Sequence, residues 1–316
     1  MSTILRTPGT ETRSAPRPSA ERPSAARAWF LAARPHTLPA SAAGVIAGIG
    51  AAYGAGAAFR PDTAIECLLA ALLLQVFANL ANDLSDFGRG ADTPARLGPP
   101  RAVASGWIGP AAMRGGMLLV AAAAGVDGLL LAVAGGPAML ALGIAAVIAA
   151  LAYTGGPWPF GYKGLGELFV FGFFGPVCVA GTAYLQAGHL EPLQLVASIP
   201  AGAFAVAILT TNNLRDIDTD QVAGKRTLAV RFGPGFARAE YVACLVVAWA
   251  AVVAVAPGHP LALPTFAVAP AAFPLVRAVY AGGNPRRLNR VLMWTGRVGF
   301  AFAILFAAGL AAGGRP

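Results

Sequence analysis

Six of the 14 acidic residues in this sequence fall in two short segments. The first reads Asn79-Leu-Ala-Asn82-Asp83-Leu-Ser-Asp86-Phe-Gly-Arg89-Gly-Ala-Asp92, the second Asn212-Asn213-Leu-Arg215-Asp216-Ile-Asp218-Thr-Asp220. Each closes a long apolar run. Asn79, Asn82 and Asp86 stand at i, i+3 and i+7, one face of a helix, and Asn213, Asp216 and Asp220 repeat that spacing. A carboxylate near hydrocarbon costs about 2.5–3.5 kcal/mol, and several together repel one another. Such clusters make sense facing a polar cavity with a cation to neutralise them. Hard oxygen ligands beside amides suit Mg²⁺, which is held by one or two carboxylates plus substrate phosphates. Asp83, Asp86, Asp92, Asn213, Asp216 and Asp220 are the candidate metal ligands. Solvated loop acids would explain one such residue, but not two matched clusters at helix ends.

The segments look like copies. Asn82-Asp83-x-x-Asp86 overlays Asn212-Asn213-x-x-Asp216, and a basic, Gly-containing stretch follows each: Gly98 to Gly106 in one case, Gly224-Lys225-Arg226-Thr227-Leu228 in the other. Two metal sites facing one another would clamp a diphosphate between them. Lys and Arg donors beside them would hold its oxygens.

The elements that must position these residues are membrane helices. The chain has 57% hydrophobic and 12% charged residues with mean hydropathy +0.64, whereas soluble domains carry about 25% charged residues. Apolar runs long enough to cross a bilayer recur at 29–57, 63–86, 111–134, 137–154, 165–187, 193–214, 237–256, 260–280 and 288–312. The short alternating segments of a barrel are absent. The expectation is an all-α polytopic membrane protein of about nine helices, with duplicated four-helix units around a central cavity. Residues 1–28, rich in Pro, Ser, Thr and Arg, read as a disordered cytoplasmic tail, leaving 29–316 as the transmembrane domain.

Positive charge sets the orientation. Five arginines lie in the tail, and Arg89, Arg96, Arg101, Lys163, Arg215, Lys225, Arg226, Arg231, Arg286, Arg287 and Arg290 fall in alternate connections. The opposite connections hold only Arg60, with Arg315 near the end. This places the N-terminus and both motifs on the cytoplasmic side of a cell (inner) membrane. The net charge of +9 forms no basic stripe, so nucleic acid is not an expected partner. Cys67, Cys178 and Cys244 lie inside apolar runs without metal or disulfide spacing. A cation-coupled transporter is the rival from another class, since duplicated units with intramembrane acids mark many carriers. Acids at helix ends beside long loops fit diphosphate chemistry better.

These segments resemble the UbiA superfamily of intramembrane prenyltransferases, and most closely its menaquinone branch, the 1,4-dihydroxy-2-naphthoate polyprenyltransferases. The likeness is carried by Ala33-Arg34-Pro35-His36-Thr37-Leu38-Pro39-Ala40-Ser41, by the stretched first motif, by Ala152-Tyr153-Thr154-Gly155-Gly156-Pro157 continuing to Tyr162-Lys163-Gly164-Leu165-Gly166-Glu167, and by Asn212 to Leu228. The resemblance implies a reaction in which Mg²⁺ and basic residues draw off the diphosphate of a polyprenyl donor. The naphthoate ring attacks the allylic cation, and loss of CO₂ gives demethylmenaquinone. Other acceptors within the superfamily, such as 4-hydroxybenzoate or homogentisate, are the alternative. It further implies Asp86, Asp216 and Lys163 as catalytic, and Arg34, Asn82, Arg101, Asn212, Lys225 and Arg226 as diphosphate ligands. Tyr153 would line the chamber that receives the aromatic acid acceptor. Asn213 replaces an acid found in many relatives. No role attaches to Asp127 or to the histidines.

Overall fold

The computed structural model describes residues 22–92, 96–282 and 284–313. Among these residues the secondary structure is helical throughout, without a strand, and nine helices are long and apolar enough to cross a membrane. They run Ala25–Gly54, Pro61–Gly88, Pro110–Gly135, Pro137–Thr154, Gly166–Ala187, Pro192–Arg215, Leu228–Val255, Pro260–Ala281 and Pro285–Gly313. The expected spans are all recovered, with two instructive differences at the starts. Ala25–Ala28, assigned from composition to the tail, form the first turn of a helix capped by Ser24, while 1–21 lie outside the described residues. The seventh span begins nine residues earlier than its apolar run. Thr227 caps a short helix at Val230 N, and Gly233 (φ 82°) before Pro234 kinks it away from the rest of the span.

The sixth span is the hub. It packs against the first, fifth, seventh and ninth spans, and with 61% of its apolar window buried it is the best-covered of the nine. Phe204 from this span meets Trp249 and Phe302 with ring centroids 5.8 and 5.2 Å apart, forming the core of that half. Small residues bring the backbones together, as expected where lipid offers no hydrophobic drive between helices. In the first span, a Cβ at Gly50 would overlap Ala307 Cα and one at Gly54 would sit 2.7 Å from the Leu310 carbonyl oxygen, so the close approach of the ninth span needs both to lack a side chain.

Two helix interruptions point side chains inward. The first span breaks at Arg34, the single described non-glycine residue at positive φ (52°). Pro35 follows, and a residue before proline is steered out of the right-handed helical region. A left-handed arginine costs about 1–2 kcal/mol. Asn79 of the second span holds it in place, donating from Nδ2 to the Ala33 carbonyl at 2.9 Å and to Thr37 Oγ1 at 3.0 Å. In the fifth span, Pro176 withholds its N–H and the helix widens over Phe173–Ala180, the usual signature of a bulged functional helix. That widening turns Phe173, Phe174 and Val177 onto a central cavity.

Candidate active site

A cavity of about 850 Å³ runs through the bundle, bounded mainly by spans one to six with Asn289, Leu292, Met293 and Gly296 of the ninth. One end is charged. Arg34, Asn79, Asn82, Arg96, Arg101, Asn212, Arg215 and Asn289 converge there. The remainder is apolar, with Leu131, Met139, Val147, Phe169, Phe173 and Leu185 among its walls. Tyr153 and Phe160 stand between the two regions, their rings edge-to-face at 5.5 Å. The outer wall is thin: Ile144 and Ile148 touch the cavity yet are 54% and 60% exposed.

The first motif supplies a pinned carboxylate. Asp86 is buried at the end of the second span, and three elements reach it. The Tyr162 hydroxyl donates to Oδ1 at 2.8 Å, Lys225 Nζ lies 3.4 Å from the same oxygen, and Arg101 Nη2 donates to Oδ2 at 3.2 Å. Asp92 pairs with Arg96 at 2.7 Å, and its Oδ2 is buried with no hydrogen-bond partner among the described residues. Burial pushes this carboxyl up to about 6, against the opposing charge of Arg96. Arg101 is likewise only partly used: its Nε and Nη1 lack hydrogen-bond partners among the described residues. Nε lies 3.6 Å from Asp92 Oδ1. Unsatisfied guanidinium protons in a buried site are costly, and an oxyanion is a natural acceptor for them.

The second motif is built differently. Arg215 Nε donates to Asp216 Oδ1 at 2.7 Å, its Nη2 to Asn212 Oδ1 at 2.6 Å, and its Nη1 to Asn289 Oδ1. Asp220 follows on the short helix Ile217–Val222, 3.9 Å from Lys225 Nζ. Burial raises the Asp220 carboxyl to about 6, with Lys225 opposing the shift. Lys225 therefore touches an acid from each motif, which brings the two segments to one site. Asp218 faces outward and is exposed.

Several expected residues sit where the sequence did not put them. Asp83 spends both carboxylate oxygens on the backbone N–H groups of Ala102 and Val103, at 2.9 and 3.0 Å. It clamps the loop that carries Arg101, and no oxygen is left for a ligand; like Asp86, Asp92, Asp216, Asp220 and Lys225, it is not part of the cavity wall. Asn213 does not line the cavity and donates to Glu167 Oε1 at 2.9 Å. Lys163 is exposed, and its carbonyl accepts from Arg231 Nη2 at 2.7 Å. Arg226 is exposed too. Arg34, Asn82, Arg101, Asn212 and Tyr153 all border the cavity as expected. Sequence reasoning passed over Arg96, Tyr162, Arg215 and Asn289. Arg215 lies inside the second motif and was visible as a candidate, whereas Asn289 sits among arginines at the start of the ninth span with no signal of its own.

The model of the UbiA prenyltransferase family matches residues 42–296. The chain belongs to this family. Among curated UbiA relatives, it is 39% identical to the 1,4-dihydroxy-2-naphthoate octaprenyltransferase of Mycobacterium tuberculosis, over 90% of this chain and 97% of that one. It is 36% identical to the Haemophilus influenzae protein of the same name, over 90% and 96%. The Escherichia coli protein of that name is 40% identical, over 71% and 74%. Solved UbiA homologs share the fold at low identity. One from Aeropyrum pernix K1, without ligand, superposes at TM-score 0.65 with 18% identity, covering 86% of this chain and 97% of that one. One from Archaeoglobus fulgidus, bound to DMAPP and Mg²⁺, superposes at 0.60 with 15% identity over 90% and 99%. Family membership makes this chain a prenyltransferase and removes the transporter reading.

Proposed function

We propose that the chain transfers a polyprenyl group from its diphosphate to 1,4-dihydroxy-2-naphthoate, with loss of CO₂, in a Mg²⁺-dependent reaction. The observation that carries this is the cavity's division into a charged end, lined from both motif regions by Asn82, Arg101, Asn212 and Arg215, and a long apolar remainder; Lys225, between Asp86 and Asp220, ties the two motifs together beside it. The relatives that cover most of this chain at 36–39% identity bear that activity in their names.

Asp86, Asp92, Asp216 and Asp220 are the hard oxygens that would hold a divalent cation together with the diphosphate, since the described residues do not by themselves gather three ligating side chains. Among the described residues Asp92 Oδ2 is a buried acceptor without a hydrogen-bond partner. When bound, Mg²⁺ supplies positive charge against the departing diphosphate. The chain's own cations do the same from the cavity side: Arg34, Arg96, Arg101 and Arg215 point at the polar end, already oriented before the C–O bond breaks. That bond breaks with its electron pair leaving on the diphosphate. Tyr153 and Phe160 present ring faces and edges where the allylic cation forms. The apolar walls exclude water that would otherwise capture it. The ring carbon bearing the carboxylate attacks, a C–C bond forms, and CO₂ departs leaving its electron pair to restore aromaticity. The immediate product is the hydroquinone, the reduced form of demethylmenaquinone.

Both motifs and the N-terminus are proposed to lie on the cytoplasmic side of the cell membrane, a reading supported by the arginine-rich connections. In a cysteine-free background, Ser105→Cys and Val222→Cys will react with an impermeant thiol reagent from the cytoplasmic side, and His189→Cys from the other. Labelling of the first two from opposite faces overturns the shared site. The acceptor is tested with membranes carrying the protein, Mg²⁺ and a polyprenyl diphosphate. The expected result is one CO₂ released per 1,4-dihydroxy-2-naphthoate prenylated. Turnover of 4-hydroxybenzoate and not of the naphthoate would assign a different acceptor.

A further inference from the structure

The connection between the fourth and fifth spans, residues 155–165, lies across both motif loops. From the end of the first motif, Arg89 donates through Nε to the Thr154 carbonyl at 2.8 Å and through Nη2 to the Gly156 carbonyl. From the second motif's loop, the Arg226 N–H donates to the Tyr162 carbonyl at 2.8 Å, and Arg231 Nη2 donates to the Lys163 carbonyl at 2.7 Å. The connection is thus stapled on both sides by backbone acceptors. One polar side chain of it enters the charged cluster: Tyr162, which is 8% exposed.

Tyr162 does two things there. Its hydroxyl donates to Asp86 Oδ1 at 2.8 Å. Its ring lies under Lys225, whose Nζ is 4.7 Å from the ring centre, while the same Nζ is 3.4 Å from Asp86 Oδ1. Arg89 approaches the ring as well, at 5.6 Å. An acid of the first motif and a cation of the second are therefore held by one side chain belonging to neither.

We propose that Tyr162 is a positioning residue for the prenyl donor. Its hydroxyl fixes the Asp86 carboxylate, its ring fixes Lys225, and through them the 155–165 connection aligns both motifs on one diphosphate. This rests on the proposed function, because it presumes that the charged end receives a diphosphate. The two roles separate by substitution. Tyr162→Phe keeps the ring under Lys225 and removes the hydrogen bond to Asp86, whereas Tyr162→Leu removes both.

The test measures binding of inorganic diphosphate to the purified full-length protein at saturating Mg²⁺, alongside steady-state prenyl transfer. A hydrogen bond to a charged group is lost in Tyr162→Phe, so diphosphate binding should weaken about 10- to 100-fold. The donor KM should rise while the acceptor KM holds. Tyr162→Leu should lose about a further 3-fold or more as Lys225 loses its ring. In an Asp86→Asn background, Tyr162→Phe should cost little more, since groups acting through one another are non-additive. Wild-type diphosphate affinity in Tyr162→Phe overturns the inference, as does the same loss repeated in the Asp86→Asn background. A Tyr162→Phe protein that fails to fold also overturns it, by making the residue structural. If the wild-type protein binds no diphosphate, the proposed function falls and this inference falls with it.

Discussion

The two acidic motifs are near copies in sequence and unlike in structure. In the first, Asp83 is consumed by the loop amides of Ala102 and Val103, and Asp86 is gripped by side chains from three other elements. In the second, Asn213 turns to Glu167, and Asp216 is neutralised by Arg215, its own neighbour in the chain. Corresponding positions therefore do different work: Asp83 shapes a loop, while Asn213 anchors one helix to the next. Two acid-bearing helix ends of like sequence meet near one site, but the groups around them decide what each acid holds.

Breaking the comparison at its strongest points should give the largest effects. Asp86→Asn and Asp216→Asn should each lower the prenyl-transfer rate on the order of 10²–10³-fold, as for other single groups that stabilise transition-state charge. Together they should cost far less than the product of the two losses. Near wild-type initial rates for both single variants, followed against Mg²⁺ concentration, would end the two-motif mechanism. Asp83→Asn comes next and should fail differently. An amide can accept from one loop N–H but turns its own donors toward the other, leaving a buried clash that costs about 1–3 kcal/mol. Its signature should be faster thiol labelling of Ser105→Cys as the 101–106 turn loosens; unchanged labelling would return Asp83 to the list of cavity ligands. Lys225→Met should then exceed Lys163→Met in its effect on donor KM, because only Lys225 stands among the acids. The reverse order would mean that Lys163 swings inward when the donor binds. Asp218→Asn, on the exposed face of Ile217–Val222, should change donor KM least, by less than about 2-fold given the small effects of exposed substitutions.

Most of the fold could be read directly from the chain. Nine apolar runs, alternate clusters of arginine and two Asn/Asp-rich ends predict a membrane bundle with a site at one face, and the structure has that arrangement. Within the site, success followed whether a residue's direction was fixed by helical period or by a loop. Asn82, Asp86 and Asn212 lie on helices whose register runs unbroken from the apolar run; Asn82 and Asn212 line the cavity, and Asp86 is reached by Tyr162, Lys225 and Arg101 beside it. Lys163 and Arg226 lie in connections, where backbone hydrogen bonds to Arg231 and Tyr162 decide the direction, and no periodicity reports on those. Tyr162 was overlooked for the same reason. A residue adjacent to an obvious cation took the place in the site that the cation had been given. The break at Arg34 was half-visible. Pro35 announces it, but the Asn79 amide that holds the left-handed turn comes from another span.

The thin wall formed by Ile144 and Ile148 has a consequence for how this enzyme must be measured. Those side chains line the cavity and face the surroundings at once, so the bilayer is the medium next to the reaction chamber. A long prenyl donor and its prenylated product both dissolve in that medium. The concentration that governs turnover is then a mole fraction among lipids and not a bulk molarity. Doubling the lipid at fixed enzyme and fixed donor should slow the reaction as though substrate had been diluted, although the volume of the sample is unchanged. Competitive inhibitors with greasy tails should lose apparent potency in the same proportion. Rate constants for this protein are therefore properties of a surface, and comparisons between preparations hold only at matched lipid.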